Sequence, residues 1–465
     1  MRGILGHAGY VPYRRLDRST VAEVAGTGGG RGTRSVASSD EDTTTLGGEA
    51  ARIARRGAEA VRPAALYFAT TAPTYLDKTN ATAIHAALRL DAETVAADFG
   101  GAVRSAVAAL RLALGAGEPA LVVAADVRTG LPGSPDESAG GDGGSALLVG
   151  SDADGPVLAE FLGAGAASEE FLDRWRTPGD SRSKQWEERF GEGRYLALGE
   201  LAWAGALKAA ALAAGDVTHL VVTGTHQRAA GAVARRLAAT SGAAVAVDDL
   251  SASVGHTGAA HPGLLLSSVL DHAPVGSVVA LVSLADGADV LVFRVREVRP
   301  SARPVAAQVA AGGPISYGKF LSWRGMLEVE PPRRPEPARI SASAAGRNAA
   351  WKYGFVGSRS VDTGRINLPP SVPGAGGDVE PVPMAEARGT VATYTVDRLA
   401  YSPSPPVVFA VVDFDGGGRL PLELTDVDAG AVAVGDRVEL TFRRLSSADG
   451  IVNYFWKARP VRAQR

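Results

Sequence analysis

The chain has no cysteine in its 465 residues. Disulfides, thiolate zinc sites and cysteine nucleophiles are therefore excluded. It also lacks an excess of either charge: 48 Lys and Arg stand against 50 Asp and Glu, a formal net charge of −2. Nothing in that balance points to a nucleic-acid partner. No apolar run approaches the length of a membrane span without a charge or a glycine. The opening Met1-Arg2-Gly3-Ile4-Leu5-Gly6 lacks the long apolar core of a signal peptide. A cytoplasmic protein with no membrane contact is the expectation. Alanine and glycine are abundant and lysine is scarce beside arginine, which reads as compositional bias. The length exceeds one compact core, so two or more domains are expected.

Asp98-Phe99-Gly100-Gly101-Ala102-Val103-Arg104-Ser105-Ala106-Val107-Ala108-Ala109-Leu110 organises the first part of the chain. Two glycines open a turn. Val103, Val107, Leu110 and Leu114 then recur at the spacing of one buried helix face. A turn feeding a helix N-terminus favours negative charge, and a thiol there would be acidified. Val103 occupies the place and reads as a core residue on the apolar stripe.

Phe99 to Ala106 resembles the nucleophile turn of the thiolase superfamily, in its hydroxymethylglutaryl-CoA synthase-like branch. That family has a cysteine where Val103 stands. Gly6-His7-Ala8-Gly9-Tyr10-Val11-Pro12 is similar to the opening of the same branch. The segment Thr71 to Lys78 resembles the one that carries the family's general-acid glutamate, and Pro73 takes that place. Proline cannot transfer a proton. Val254-Gly255-His256-Thr257-Gly258-Ala259-Ala260-His261-Pro262 matches the family motif whose Asn or His donates to the thioester oxygen in an oxyanion hole. The resemblance makes His256 a catalytic candidate. His226, one or two positions later than the family pattern, is the second. Val103, Gly101, Pro73, Gly255 and Gly258 are expected to line the substrate site.

Local patterning gives a coarse map. Strands are expected at Ile4–Pro12, Ala64–Thr70, Val95–Asp98, Ala120–Asp126 and Thr218–His226, with paired strands at Ser277–Ala285 and Asp289–Arg296. Helices are expected at Glu49–Val61, Leu196–Ala214 and Ala229–Leu237, with Ser39, Asp40 and Thr44 as candidate caps of the first. The acidic trio Asp40 to Asp42 reads as a helix start rather than a metal site. The glycines of 140–144 lack the lysine and spacing of a phosphate loop and read as structural. The strand–turn–helix grammar of residues 95–150 returns at 216–282. That recurrence fits both two thiolase halves and a generic doubly wound α/β fold.

Glu330 to Pro337 is a linker by composition. Trp351 to Arg359 and the strands from Met384 onward resemble the acyl-CoA-associated zinc-ribbon/OB-fold family. The two Cys pairs of its ribbon are replaced by Ser360 and Thr363 and by Pro373 and Gly376, which cannot hold zinc. The resemblance implies an α/β thiolase fold, layered αβαβα in two pseudo-repeated halves, over residues 1–328. A Pro-rich linker and metal-free ribbon remnant follow over 329–383, and an all-β OB-fold barrel over 384–465. The barrel lacks a basic face interleaved with aromatics, so nucleic acid is not expected.

Without the cysteine no acyl-enzyme can form. One functional expectation is non-covalent C–C bond chemistry (aldol or retro-aldol type), or acyl transfer, on an acyl-CoA or acyl-carrier thioester. The other is a non-catalytic scaffold or channelling subunit of an active thiolase. A homodimer is expected from the fold. No cofactor and no metal are expected, coenzyme A entering only as part of the substrate.

Overall fold

The computed structural model describes residues 1–241, 245–371 and 377–462. Ten strands form one sheet built as two copies of a single plan. The first half holds β1 (Arg2–Tyr10), β2 (Ala65–Thr70), β3 (Val95–Gly100), β4 (Ala120–Asp126) and β5 (Gly143–Ser151). The second holds β6 (Ala159–Ser168), β7 (His219–Gly224), β8 (Val245–Ala246), β9 (Val278–Leu284) and β10 (Gly287–Val295). From one edge the first half runs β3-β2-β4-β5-β1, and from the opposite edge the second runs β8-β7-β9-β10-β6. In each, the first three strands are parallel and the last two antiparallel. The halves meet where β1 touches β6, at Gly3↔Glu160 and Ile4↔Ala159.

The helices complete five layers. Between the two sheet halves lie α2 (Arg104–Gly115) and α5 (His261–Leu270). Val107, Leu110 and Leu114 of the one pack with Leu265, Leu266 and Val269 of the other, against Val122 and Leu147 on one side and Val279 and Leu281 on the other. Each such side chain contributes roughly 1.5–3 kcal/mol on full burial. Outside the first half, α1 (Thr43–Arg55) covers Leu121, Val123 and Leu148. Outside the second, α3 (Glu188–Ala210) and α4 (Gln227–Ser241) cover Ala280, Val282, Val290 and Val292. Odd and even residues of β4 thus serve different layers, as the period-2 geometry of a strand buried on both faces requires. The αβαβα order expected from the sequence is the observed one. Among the described residues, no helix is long and apolar enough to cross a membrane.

Some boundaries moved for identifiable reasons. The first helix starts at Thr43 rather than Glu49, because Asp42 caps it: its side chain accepts from Thr45 N–H while the Thr45 hydroxyl accepts from Asp42 N–H. Ser39, Asp40 and Thr44 are not the cap. Asp40 instead meets Lys457 at 3.2 Å and Arg443 at 3.4 Å. Val103 is the half-buried N-cap of α2 rather than a core residue.

Beyond the linker, β11 (Val356–Ser360), β12 (Ile366–Asn367) and β13 (Val379–Pro383) form a small sheet. Its Ser360 hydroxyl accepts from Thr363 N–H at 3.3 Å, so two former ligand positions brace a turn. The other two, Pro373 and Gly376, lie outside the described residues. Phe355 and Ile366 pack into the core of a closed barrel of β14 (Arg388–Asp397), β15 (Val407–Phe414), β16 (Arg419–Leu424), β17 (Arg437–Ala448) and β18 (Ile451–Pro460).

The barrel is seated on α1 and β1 through buried charge. Arg443 meets Glu41 at 2.6 Å and Asp426 at 2.8 Å. Arg459 meets Glu49 at 2.7 Å, and Arg52 lies 4.8 Å from the centre of the Trp456 ring. Against the burial penalty, Arg52, Arg459 and Arg443 hold the Glu49 carboxyl far below its ordinary range.

Candidate functional site

The His256 segment is held between two glycine contacts. Gly255 has φ +85°, and a Cβ there would lie 2.4 Å from the Gly140 carbonyl oxygen. Gly258 has φ +59°, and its Cβ would lie 1.9 Å from Asp126 Oδ2. No side chain fits either position. His256 N–H donates to the Ala139 carbonyl at 2.9 Å, and Gly141 N–H donates to the His256 carbonyl at 3.1 Å. The segment is therefore laced to the loop that precedes β5.

The His256 ring is buried. Its Nδ1 accepts from Gly258 N–H at 3.1 Å, which assigns the proton to Nε2, 3.2 Å from Thr223 Oγ1. The ring lies 4.3 Å from that of His261. Burial keeps His256 neutral, with its pKa well below the ordinary histidine value, and His261, Arg128 and Arg174 add to the effect. His261 is pushed down to about 4, again by burial, with Asp249 opposing. The site therefore carries two neutral imidazoles, one presenting an N–H.

Asp126, fully buried at the end of β4, ties the parts together. It accepts from Thr71 N–H at 2.7 Å, from Ala259 N–H at 2.8 Å and from the Thr70 and Thr71 hydroxyls at 2.9 Å. Arg128 lies 3.8 Å from it and donates to Thr71 Oγ1 at 3.1 Å. Arg174 grips Asp136 through both guanidinium nitrogens, at 2.8 and 2.7 Å, and Arg176 donates to the Thr71 carbonyl at 2.5 Å. His256, Arg128, Arg174 and Asp136 line a small cleft of only about 30 Å³, room for roughly one or two waters. On its other side His256 borders a groove of about 350 Å³, with Thr223, Gln227, Asp249 and His261.

The remaining candidates do not gather on that cavity. His226 is buried between α3 and α4. Its Nδ1 accepts from Ala229 N–H at 3.1 Å and its Nε2–H donates to the Glu188 carbonyl at 2.8 Å, so both ring nitrogens hold backbone. Val103 and exposed Gly101, whose φ of +96° accounts for the glycine, border neither cavity next to His256. Nor does Pro73, whose loop is tied to α1 and the barrel: Thr43 Oγ1 donates to the Ala72 carbonyl at 3.0 Å, and Val452 N–H donates to the Tyr75 hydroxyl at 2.8 Å. Gly255 and Gly258 act through backbone clearance. Sequence reasoning passed over Asp126, Arg128 and Arg174. The legible signal was a carboxylate ending the otherwise apolar run Ala120–Asp126.

Comparison with known proteins fits this geometry. The chain is 26% identical over 349 residues to a hydroxymethylglutaryl-CoA synthase of Methanopyrus kandleri, covering 70% of this chain and 98% of that one. A synthase of Thermococcus sibiricus is 32% identical over 203 residues, 42% of this chain and 57% of that one. A crystal structure of HMG-CoA synthase complexed with CoA superposes with a TM-score of 0.57 at 18% identity, over 69% of this chain and 89% of that one. Residues 381–443 match the family model of the ChsH2 C-terminal OB-fold domain. The chain is a thiolase-fold relative of the hydroxymethylglutaryl-CoA synthases, with an OB-fold domain behind it. The chain has no cysteine at any position, and Arg128 and Arg174 line the space beside the His256 segment.

Proposed function

We propose that this chain is a non-catalytic subunit of a thiolase-type assembly that handles acyl-CoA or acyl-carrier thioesters in the cytoplasm, docking and shaping a cysteine-bearing partner. The observation that carries this is the cavity of about 30 Å³ beside His256, walled by two guanidiniums. An acyl thioester does not fit there, and neither Val103 nor His226 offers a reactive group. A docking role does not need that space. The strand β3 supports it: it is an edge strand, and Val95 on it is 57% exposed. Its outer N–H and C=O groups can extend the sheet into a second subunit, either another copy of this chain or the partner.

A second reading, non-covalent C–C chemistry, has one observation in its favour. The neutral His256 ring carries an Nε2–H able to polarise a thioester carbonyl. On the side of the small cavity it requires Arg128 and Arg174 to withdraw, whereas the groove of about 350 Å³ on the Thr223 side needs no such movement.

The test is Val103→Cys incubated with acetyl-CoA and followed by intact-protein mass. The expected result is no acyl adduct, and no turnover of β-hydroxyacyl-CoA by the unaltered chain alone. A stoichiometric adduct would show that an acyl thioester reaches residue 103 and would overturn the steric argument. Turnover by the unaltered chain that His256→Ala abolishes would overturn the non-catalytic reading and establish the second one.

A further inference from the structure

A second cavity, of about 470 Å³, lies where the C-terminal end of β1 and residues 302–311 face the barrel. Five arginines line it, and their partners are unevenly shared. Arg56 is satisfied by Glu386 at 2.7 Å, and Arg459 by Glu49 at 2.7 Å. The others are not. Glu439 Oε1 serves Arg459 at 2.9 Å and must also serve Arg303 at 2.7 Å. Arg462 donates to the backbone carbonyl of Asp426, whose carboxylate is already held by Arg443. Arg388 is exposed, and its acidic neighbour Asp415 is bridged by Arg437. Three guanidiniums from two bodies thus line one cavity with a single side-chain ion pair among them, Arg303–Glu439, and that carboxylate is shared with Arg459.

We propose that this junction cavity binds a phosphate-bearing polyanion, its charged oxygens taken by Arg303, Arg388 and Arg462. Arginine forks match phosphate oxygens two at a time, and several forks around one volume favour a group with many anionic oxygens over a single carboxylate. The volume is that of an ordinary small-molecule site. Burial, with Arg459 adding to it, pushes the Arg303 pKa down to about 10 even though Glu439 and Glu49 oppose the shift. Because the walls come from both bodies, the ligand would clamp the barrel to the sheet and stabilise the folded chain by mass action. The inference rests on the junction alone and stands whether or not the His256 site is catalytic. A diphosphate can come from a free nucleotide or from the phosphorylated end of a CoA-type carrier.

The experiment is calorimetric titration of the full chain with inorganic pyrophosphate at low ionic strength, where screening is least. The expected result is one saturable site, weakened at least tenfold in the double variant Arg388→Gln/Arg462→Gln and unchanged in Arg236→Gln, a distant surface control. Neither residue of the double variant pairs with a carboxylate side chain of its own in this cavity, so the variant should fold. Arg303→Lys is the second probe: it keeps the charge, loses the fork and should weaken binding by an intermediate amount. Competition by ADP and by CoA then identifies the source, whichever displaces pyrophosphate at the lower concentration. No saturable binding, or equal affinity in the unaltered chain and the double variant, would overturn the proposal.

Discussion

The two charged regions of this molecule are built on opposite terms. At the His256 end, Asp126, Asp136, Arg128 and Arg174 flank the motif, but the motif itself is held largely by backbone. Glycines let loops touch, Asp126 accepts from two N–H groups, and both imidazoles stay neutral. At the seat of the barrel, charge is dense: Arg443 alone contacts Asp40, Glu41 and Asp426 with no exposed surface of its own. The first region has the backbone of a thiolase fold in a chain that holds no cysteine. The second fixes how two bodies sit. Buried ion pairs add little stability over apolar packing, but removing one partner strands the other. The difference teaches that likeness to a family is carried by backbone clearance, whereas what belongs to this arrangement of domains is carried by paired charge.

The comparison breaks most visibly at Arg443. Arg443→Ala leaves Glu41 and Asp426 buried without their shared cation, and a loss of about 3–5 kcal/mol is expected. Urea unfolding measures it directly. Arg443→Met should restore part of the packing and little of the loss, since the stranded carboxylates remain.

The layers were readable in the sequence because burial on both faces leaves apolar runs such as Ala120–Asp126, and because the motif order matched a family. The helix start at Thr43 was hidden among several cap-competent residues, of which only Asp42 meets Thr45 in the right geometry. The narrowness of the His256 cavity was not legible at all. It depends on Arg174, a side chain on the two-residue strand Arg174–Trp175 with no distinctive pattern, reaching Asp136. The ionic seat of the barrel was equally hidden, since Glu41, Glu49, Arg443 and Arg459 are separated by about four hundred residues of chain.

Acid separates two single groups, His261 and Glu41, which titrate with opposite sign, while the depressed Glu49 of the barrel seat adds to the acid limb. His261 has a folded pKa of about 4, below its unfolded value, so the unfolded chain takes up its proton first. Its contribution is complete above pH 6.5 and is lost as pH falls toward 4, on the order of 3 kcal/mol. Glu41 behaves the other way. Burial raises it to about 7, with Asp426 and Asp40 adding and Arg443 opposing. Its contribution is complete below pH 4.5 and fades as pH rises toward 7. His261→Gln should flatten the acid limb of a stability–pH curve and leave the fade toward pH 7, and Glu41→Gln should do the reverse. Parallel curves for the two variants would show that the two groups do not differ in this respect.

The smallest expected effect tests whether backbone truly dominates at the His256 end. The ring makes two hydrogen bonds, one from Gly258 N–H and one to the Thr223 hydroxyl. Thr223→Val preserves the shape and removes only the second, leaving a buried Nε2–H without that acceptor. A loss of about 1–2 kcal/mol is expected. The proton should stay on Nε2, since Gly258 N–H still occupies Nδ1, and nitrogen chemical shifts of the labelled ring report that directly. Transfer of the proton to Nδ1 would mean that the hydroxyl, not the backbone, sets the ring's state. The contrast between the two regions would then fail at its simplest point.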